Sequence, residues 1–164
     1  MYAPLEANIT TLPYLAISLS PGTTYSFKVE ARNAFGYSSP SASVEILAAE
    51  EPSQPETPTT VLDGTNILIS WKAPFNQGSP IDYYKIHIRH NDNSSYSLDL
   101  ANCDGSKEIF LTADPKQCSV PVSVLRAFPF ELPWGSPVYA TVIAHNKYGD
   151  SLTSLPGSGA RIIT

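Results

Sequence analysis

Residues 19–38 read Leu19-Ser-Pro-Gly-Thr-Thr-Tyr25-Ser-Phe27-Lys-Val29-Glu-Ala31-Arg-Asn33-Ala-Phe-Gly36-Tyr-Ser38. The stretch is a turn, a half-buried strand and a second turn. Pro21-Gly22 opens it, because proline presets φ and glycine accepts a positive one. Tyr25, Phe27, Val29 and Ala31 then alternate with Ser26, Lys28, Glu30 and Arg32. That period of two marks a strand with one apolar and one wet face. Asn33 to Gly36 closes the unit with residues that tolerate left-handed backbone.

The pattern recurs in Leu132-Pro-Trp-Gly135-Ser-Pro-Val138-Tyr-Ala140-Thr-Val142-Ile-Ala144-His-Asn146-Lys-Tyr-Gly149-Asp-Ser151. Leu, Gly, Val, Ala, Asn, Gly and Ser fall in register, at a spacing of about one β-sandwich domain. L-x-P-G-x-x-Y-x-F-x-V-x-A-x-N-x-x-G-x-S resembles the E–F corner, strand F and F–G hairpin of a fibronectin type III domain, an immunoglobulin-like β-sandwich. Tyr25 stands where that family places its tyrosine corner. Tyr25, Gly36, Gly149 and Trp71 are the residues that define the fold on this resemblance. The fold class expected is all-β, with sandwiches in tandem.

Composition agrees. The 164 residues include 15 prolines and only one methionine, and tyrosine, phenylalanine and β-branched residues carry much of the apolar content. That is a turn-rich β composition. The formal net charge of −5 argues against a nucleic-acid surface, which needs a basic patch to neutralise phosphates. No apolar run has the length that spans a bilayer, so direct membrane insertion is not expected of this segment. No basic stretch followed by an apolar core opens the chain, so no signal peptide is read, and the chain is expected to be an excerpt.

On the resemblance, residues 1–49 supply the C-terminal half of one module, with strand E in 9–18, strand F in 25–33 and strand G in 41–47. Nothing before them provides strands A, B and C. The row Tyr25, Phe27, Val29 would then face water, forfeiting several kcal/mol at roughly 25 cal/mol per Å². The expectation is that other residues complete this half, either upstream in a longer polypeptide or by strand addition from another chain. Residues 50–56, rich in proline and acid, read as a short stiff linker. Residues 57–164 read as a complete module: strand A in 59–62, strand B in 66–71 with Trp71 inward, strand C in 81–90, strand C′ in 96–100, strand E in 119–125 and strand G in 160–164. Residues 101–118 are an insertion between C′ and E. Val138 stands where the tyrosine corner should be, and Trp134 is the candidate to cover that gap. The insertion and its two cysteines resemble a variety of fibronectin type III repeat found in very large protist proteins.

Cys103 and Cys118 are the only cysteines. A disulfide closing the loop between them would stabilise the domain by roughly 3 kcal/mol. Two reduced thiols in a cytosolic chain are the alternative, and zinc lacks two further ligands. Asn8 (Asn8-Ile-Thr10) and Asn93 (Asn93-Ser-Ser95) begin N-x-S/T sequons and are candidate glycosylation sites, Asn93 on a hairpin tip. Tyr83, Lys85, His87 and Arg89 on strand C, with Tyr139, Ile143 and His145 on strand F, point outward on neighbouring strands. They form a candidate partner surface, since tyrosine and arginine are enriched in binding hot spots; an ordinary solvated sheet face is the competing reading. No catalytic or cofactor motif stands out: G-x-S-x-G, H-E-x-x-H and phosphate-cradling glycine loops are absent from the sequence.

The function expected is non-catalytic: a structural or adhesion-type segment of a larger extracellular, surface or filament-forming protein. Its partners would be other protein chains or neighbouring modules, self-association included. Two alternatives stay open, an intracellular cytoskeletal or axonemal scaffold and an ancillary module of a carbohydrate-active enzyme.

Overall fold

The structure, a computed structural model, describes residues 2–163. They fall into one unit that ends at Ala49 and a second that begins at Glu50.

In the first unit, β1 (Thr24–Phe27) pairs antiparallel with β4 (Val44–Leu47), setting Tyr25 opposite Ile46 and Phe27 opposite Val44. Between them β2 (Arg32–Asn33) and β3 (Gly36–Tyr37) make a hairpin. The run expected as one strand over 25–33 is therefore broken. Two serines bridge the break: the Val29 and Ala31 amides donate to the hydroxyls of Ser41 and Ser38, both at 3.0 Å. Tyr25 makes the corner bond, its hydroxyl accepting from the Ser20 amide at 2.9 Å. Residues 9–18 do not form the expected strand E. A strand exists through its ladder, and the two short ladders of this unit offer that run no place; Leu12, Leu15 and Ile17 stay exposed. None of residues 2–49 is buried, and Val29 is 72% exposed.

The second unit has a core. One sheet has the order β5 (Thr59–Asp63), β6 (Asn66–Trp71), β9 (Lys116–Pro121); the other has the order β11 (Gly149–Asp150), β10 (Ala140–Asn146), β7 (Tyr83–Arg89), β8 (Tyr96–Leu98). Alternation does the work: Ile67, Ile69 and Trp71 from β6 meet Tyr84, Ile86 and Ile88 from β7, with Val142 and Ala144 beside them, all buried. Thr60 ties the sheets together. Its hydroxyl donates to the Val138 carbonyl and accepts from the Ala160 amide, each at 3.0 Å.

Several sequence expectations are corrected here. Residues 50–56 do not stand free as a linker. Pro52, Pro55 and Pro58 are all buried, a spacing of three that places them on one side of an extended polyproline-like turn. The Glu50 amide donates to the Gln77 carbonyl (3.2 Å), the Ser53 amide to Phe75 (3.0 Å) and the Gln54 side chain to Thr153 (2.7 Å). The strand expected over 119–125 starts earlier, at Lys116, and stops at Pro121, opposite Asn66, the first residue of its partner β6. The chain then turns into α2 (Val122–Leu125), burying Val122 and Leu125 three residues apart on one helical face. The expected insertion consequently ends before Lys116. Within it α1 (Glu108–Thr112) sends Phe110 into the core, its ring 5.6 Å from that of Trp71. Trp134 does not cover the corner: it is exposed, whereas Val138 is fully buried and its amide bonds to the Ala160 carbonyl. The expected last strand is reduced to two bridges, Pro137–Arg161 and Ala140–Gly157. There the backbone of Gly157 lies directly on the Pro58 carbonyl, leaving no room for a Cβ. Thr164, the end of that expected strand, lies outside the described residues.

A chain beginning at Glu50 should melt well above one beginning at Thr57. The strap's hydrogen bonds, at about 1 kcal/mol each, together give a deficit of roughly 3 kcal/mol. Equal denaturation midpoints for the two would show that residues 50–56 contribute nothing to the fold.

Candidate interaction face

The outward side of the β11-β10-β7-β8 sheet gathers the residues that the sequence singled out. In the β7–β10 register Tyr83 lies opposite His145 and Lys85 opposite Ile143, and the Arg89 amide bonds to the Tyr139 carbonyl at 3.0 Å. Because side chains alternate across a strand, this register brings all seven to one face. They also engage one another. The rings of Tyr83 and His145 stack at 4.3 Å with 15° between their planes. The Arg89 guanidinium sits 3.8 Å from the centre of the Tyr139 ring, within the range of a cation–π contact.

Asp150 organises the other end. One carboxylate oxygen accepts from Lys85 Nζ at 2.5 Å and the other lies 2.7 Å from His145 Nδ1. Hydrogen bonding from Lys85, and then from His145, holds the Asp150 carboxyl below the usual carboxylate range. The same pair raises Lys85. Among the described residues Arg89 makes no ion pair, so its charge remains available. His87 lies half-buried in the middle of the face. Desolvation, and then the nearby Lys85 charge, push its pKa below the ordinary 6.5, against a smaller opposite pull from Asp150.

Sequence reasoning missed Asp150, Tyr96 and Leu98. The signal for Asp150 was available: Asn146 pairs with Gly149 across a two-residue turn, which sets Asp150 opposite His145. Tyr96 and Leu98 lie opposite Arg89 and His87 on β8, but the extent of that short strand was not readable from its polar flanks.

The turn that delivers Asp150 is built as in the first unit. The Asn33 and Asn146 side-chain carbonyls each accept from the amide two residues on, at 2.9 Å. Gly36 and Gly149 have φ of 134° and 151°, in the region that disfavours residues with a Cβ. Trp71 sits in the core, and its indole N–H is buried without a partner. Cys103 and Cys118 form a disulfide, both buried. Asn8 and Asn93 are exposed, with φ of 59° and 62°. Among the described residues no group of three or more metal-ligating side chains comes together, and no helix is long and apolar enough to cross a membrane.

No protein-family model matches the chain. It is 33% identical over 138 residues to the cell adhesion molecule Dscam1 of Drosophila melanogaster, a match covering 80% of this chain and 6% of that protein. It is also 32% identical over 96 residues to a kelch domain-containing protein of Saccharolobus solfataricus, covering 58% of this chain and 13% of that one. The chain thus spans only a small part of the curated relatives it matches. A crystal structure of consecutive titin domains superposes with a TM-score of 0.51 at 19% identity, covering 82% of this chain and 39% of that one. With the repeated corner, strand and hairpin, this assigns the architecture to the antiparallel sandwiches of the fibronectin and immunoglobulin class. The fold is that of fibronectin type III-like domains.

The His87 shift has a readable consequence. Above pH 6.5 the imidazole is neutral in both folded and unfolded chains. As pH falls below that, the unfolded chain takes up the proton first, so stability declines. An NMR titration should place His87 below 6.5, and Asp150→Asn should lower it further. A His87 titrating above 6.5 would contradict the burial described here.

Proposed function

We propose that this segment is a non-catalytic protein-interaction module of a larger adhesion-type protein at the cell surface or outside the cell. The single observation that carries the proposal is the outward face of β7 and β10, where aromatic and cationic side chains are already held by one another. Such a face loses little side-chain entropy when it docks, which favours a protein partner. Its anchors would be Tyr83, Arg89, Tyr139 and His145, residue types common in binding hot spots, with Lys85, His87 and Ile143 completing the surface. The partner would be another protein chain or a neighbouring module, copies of this chain included. The buried disulfide supports an oxidising compartment and weighs against the cytoskeletal scaffold. The likeness to a cell adhesion molecule favours the surface setting over an ancillary enzyme module. We also propose that the working domain begins at Glu50, strap included, and that residues 1–49 belong to a second, separately completed module.

Beads coated with the full chain should aggregate with each other or adhere to cells of its source. The triple variant Tyr83→Ser, Arg89→Ser, Tyr139→Ser should lose most of that adhesion, at least tenfold, with its melting temperature little changed. Adhesion by the variant at the level of the parent chain would overturn the assignment of this face.

A further inference from the structure

We propose that Asn93 carries an N-linked glycan that guards the free edge of the β11-β10-β7-β8 sheet. This rests on the exported setting argued above. Asn93-Ser94-Ser95 has the acceptor pattern, with no proline in the middle. It occupies the tip of the hairpin between β7 and β8, and residues 91–95 are all exposed. Asn93 has φ of 62° at the outermost point of the turn.

The turn also dictates when the modification occurs. In the folded hairpin Asp92 holds the sequon closed. Its Oδ1 accepts from the Ser94 and Ser95 amides at 2.9 and 2.8 Å, and its Oδ2 accepts from the Ser95 hydroxyl at 2.5 Å. The hydroxyl two residues after the asparagine is the feature of the acceptor that a transferase reads, and here Asp92 occupies it. Transfer therefore precedes closure of the hairpin. In that step Asn93 Nδ2 attacks the anomeric carbon of a lipid-linked pyrophosphoryl oligosaccharide. The new C–N bond forms as the C–O bond to pyrophosphate breaks, the lipid pyrophosphate leaves with the bonding pair, and the amide loses one proton to a base.

The location gives the sugar a task. β8 is the terminal strand of its sheet and, among the described residues, pairs only with β7. Beside it Leu98 and Leu100 are exposed along an apolar groove of 260 Å³ that reaches Tyr83 and Gly105. An open edge with apolar flanks invites strand pairing between copies, and natural proteins cover or charge such edges. A branched, hydrated oligosaccharide at the hairpin tip covers this one.

The test is the intact mass of the native protein, with thiols alkylated before and after reduction, followed by enzymatic release of N-glycans. The expected result is a hexose-spaced mass increase that collapses on release and maps to Asn93, with both cysteines resisting alkylation until reduced. In a secreting host, Ser95→Ala should abolish the added mass and Asp92→Ala should leave occupancy equal or higher. Released protein should sediment as larger species than the glycosylated form. An intact disulfide with bare Asn93, or sugar on Asn8 alone, overturns the glycan and leaves the exported setting standing. Thiols that alkylate at once, with no sugar, overturn that setting and the glycan with it. A glycosylated chain whose sedimentation does not change on release refutes the guarding role.

Discussion

The buried side-chain amide of Asn146 is the constraint on which the second unit turns. Its Nδ2 donates to the Glu50 carbonyl at 2.8 Å and lies within 3.3 and 3.5 Å of the Asn76 and Ser79 carbonyls. Its Oδ1 accepts from the Tyr148 amide. One fully buried residue thus joins the strap that begins at Glu50, the turn between β6 and β7, and the hairpin between β10 and β11. Removing it would take this donor from the carbonyls of Glu50 and of the buried Ser79, whereas the Asn76 carbonyl keeps its bond from the Ser79 amide; a buried carbonyl left without a partner costs about 1–3 kcal/mol. Asn33 holds the matching position in the first unit and makes the same bond inside its hairpin, but it is exposed. The hairpin bond forms in both repeats, but only in the second do further segments pack around the asparagine. The hairpin is a local device, whereas the core depends on what the asparagine amide gathers around it.

The interaction face grows out of the same hairpin. The two-residue turn after Asn146 fixes β11, β11 delivers Asp150, and Asp150 holds Lys85 and His145. His145 in turn stacks on Tyr83. Exposed ion pairs add little stability, about 0–1 kcal/mol, so this cluster matters chiefly for order. It presents flat aromatic surfaces with the Lys85 charge matched by Asp150, while on this face, among the described residues, Arg89 lies over Tyr139 outside any ion pair.

Much of this was legible in the residues themselves. Strict alternation over Ile67–Trp71 and Tyr83–Arg89 dictated which side chains are buried, because the strand period leaves only two registers. The recurrence of Asn, Gly and Ser at one spacing identified the hairpins. What sequence did not reveal depended on partners. Pro52 and Pro55, in the stretch that reads as a linker, look like part of a spacer, since nothing local says that such a strap will dock. Val122 and Leu125 satisfy a strand or a helix, and the lack of a β6 partner before Asn66 decided between them. Trp134 was expected to cover a corner that Val138 and the carbonyl of Ala160 already close. Phe110 lay in a stretch taken as an excursion, yet α1 carries it onto Trp71. Asp150 follows from the Asn146–Gly149 turn register but was passed over.

Side-chain footprinting of the chain in its assembled natural form tests the contact surface most directly. Hydroxyl-radical labelling of Tyr83, Tyr139 and Tyr96 would be compared with that of Phe75 and Phe128, which are exposed elsewhere on the same unit. If the outward face of β7 and β10 is the contact surface, labelling of the three tyrosines falls severalfold on assembly while the two phenylalanines react as before. Unchanged tyrosines, with protection confined to the phenylalanines, would show that the molecule meets its partner through a different surface.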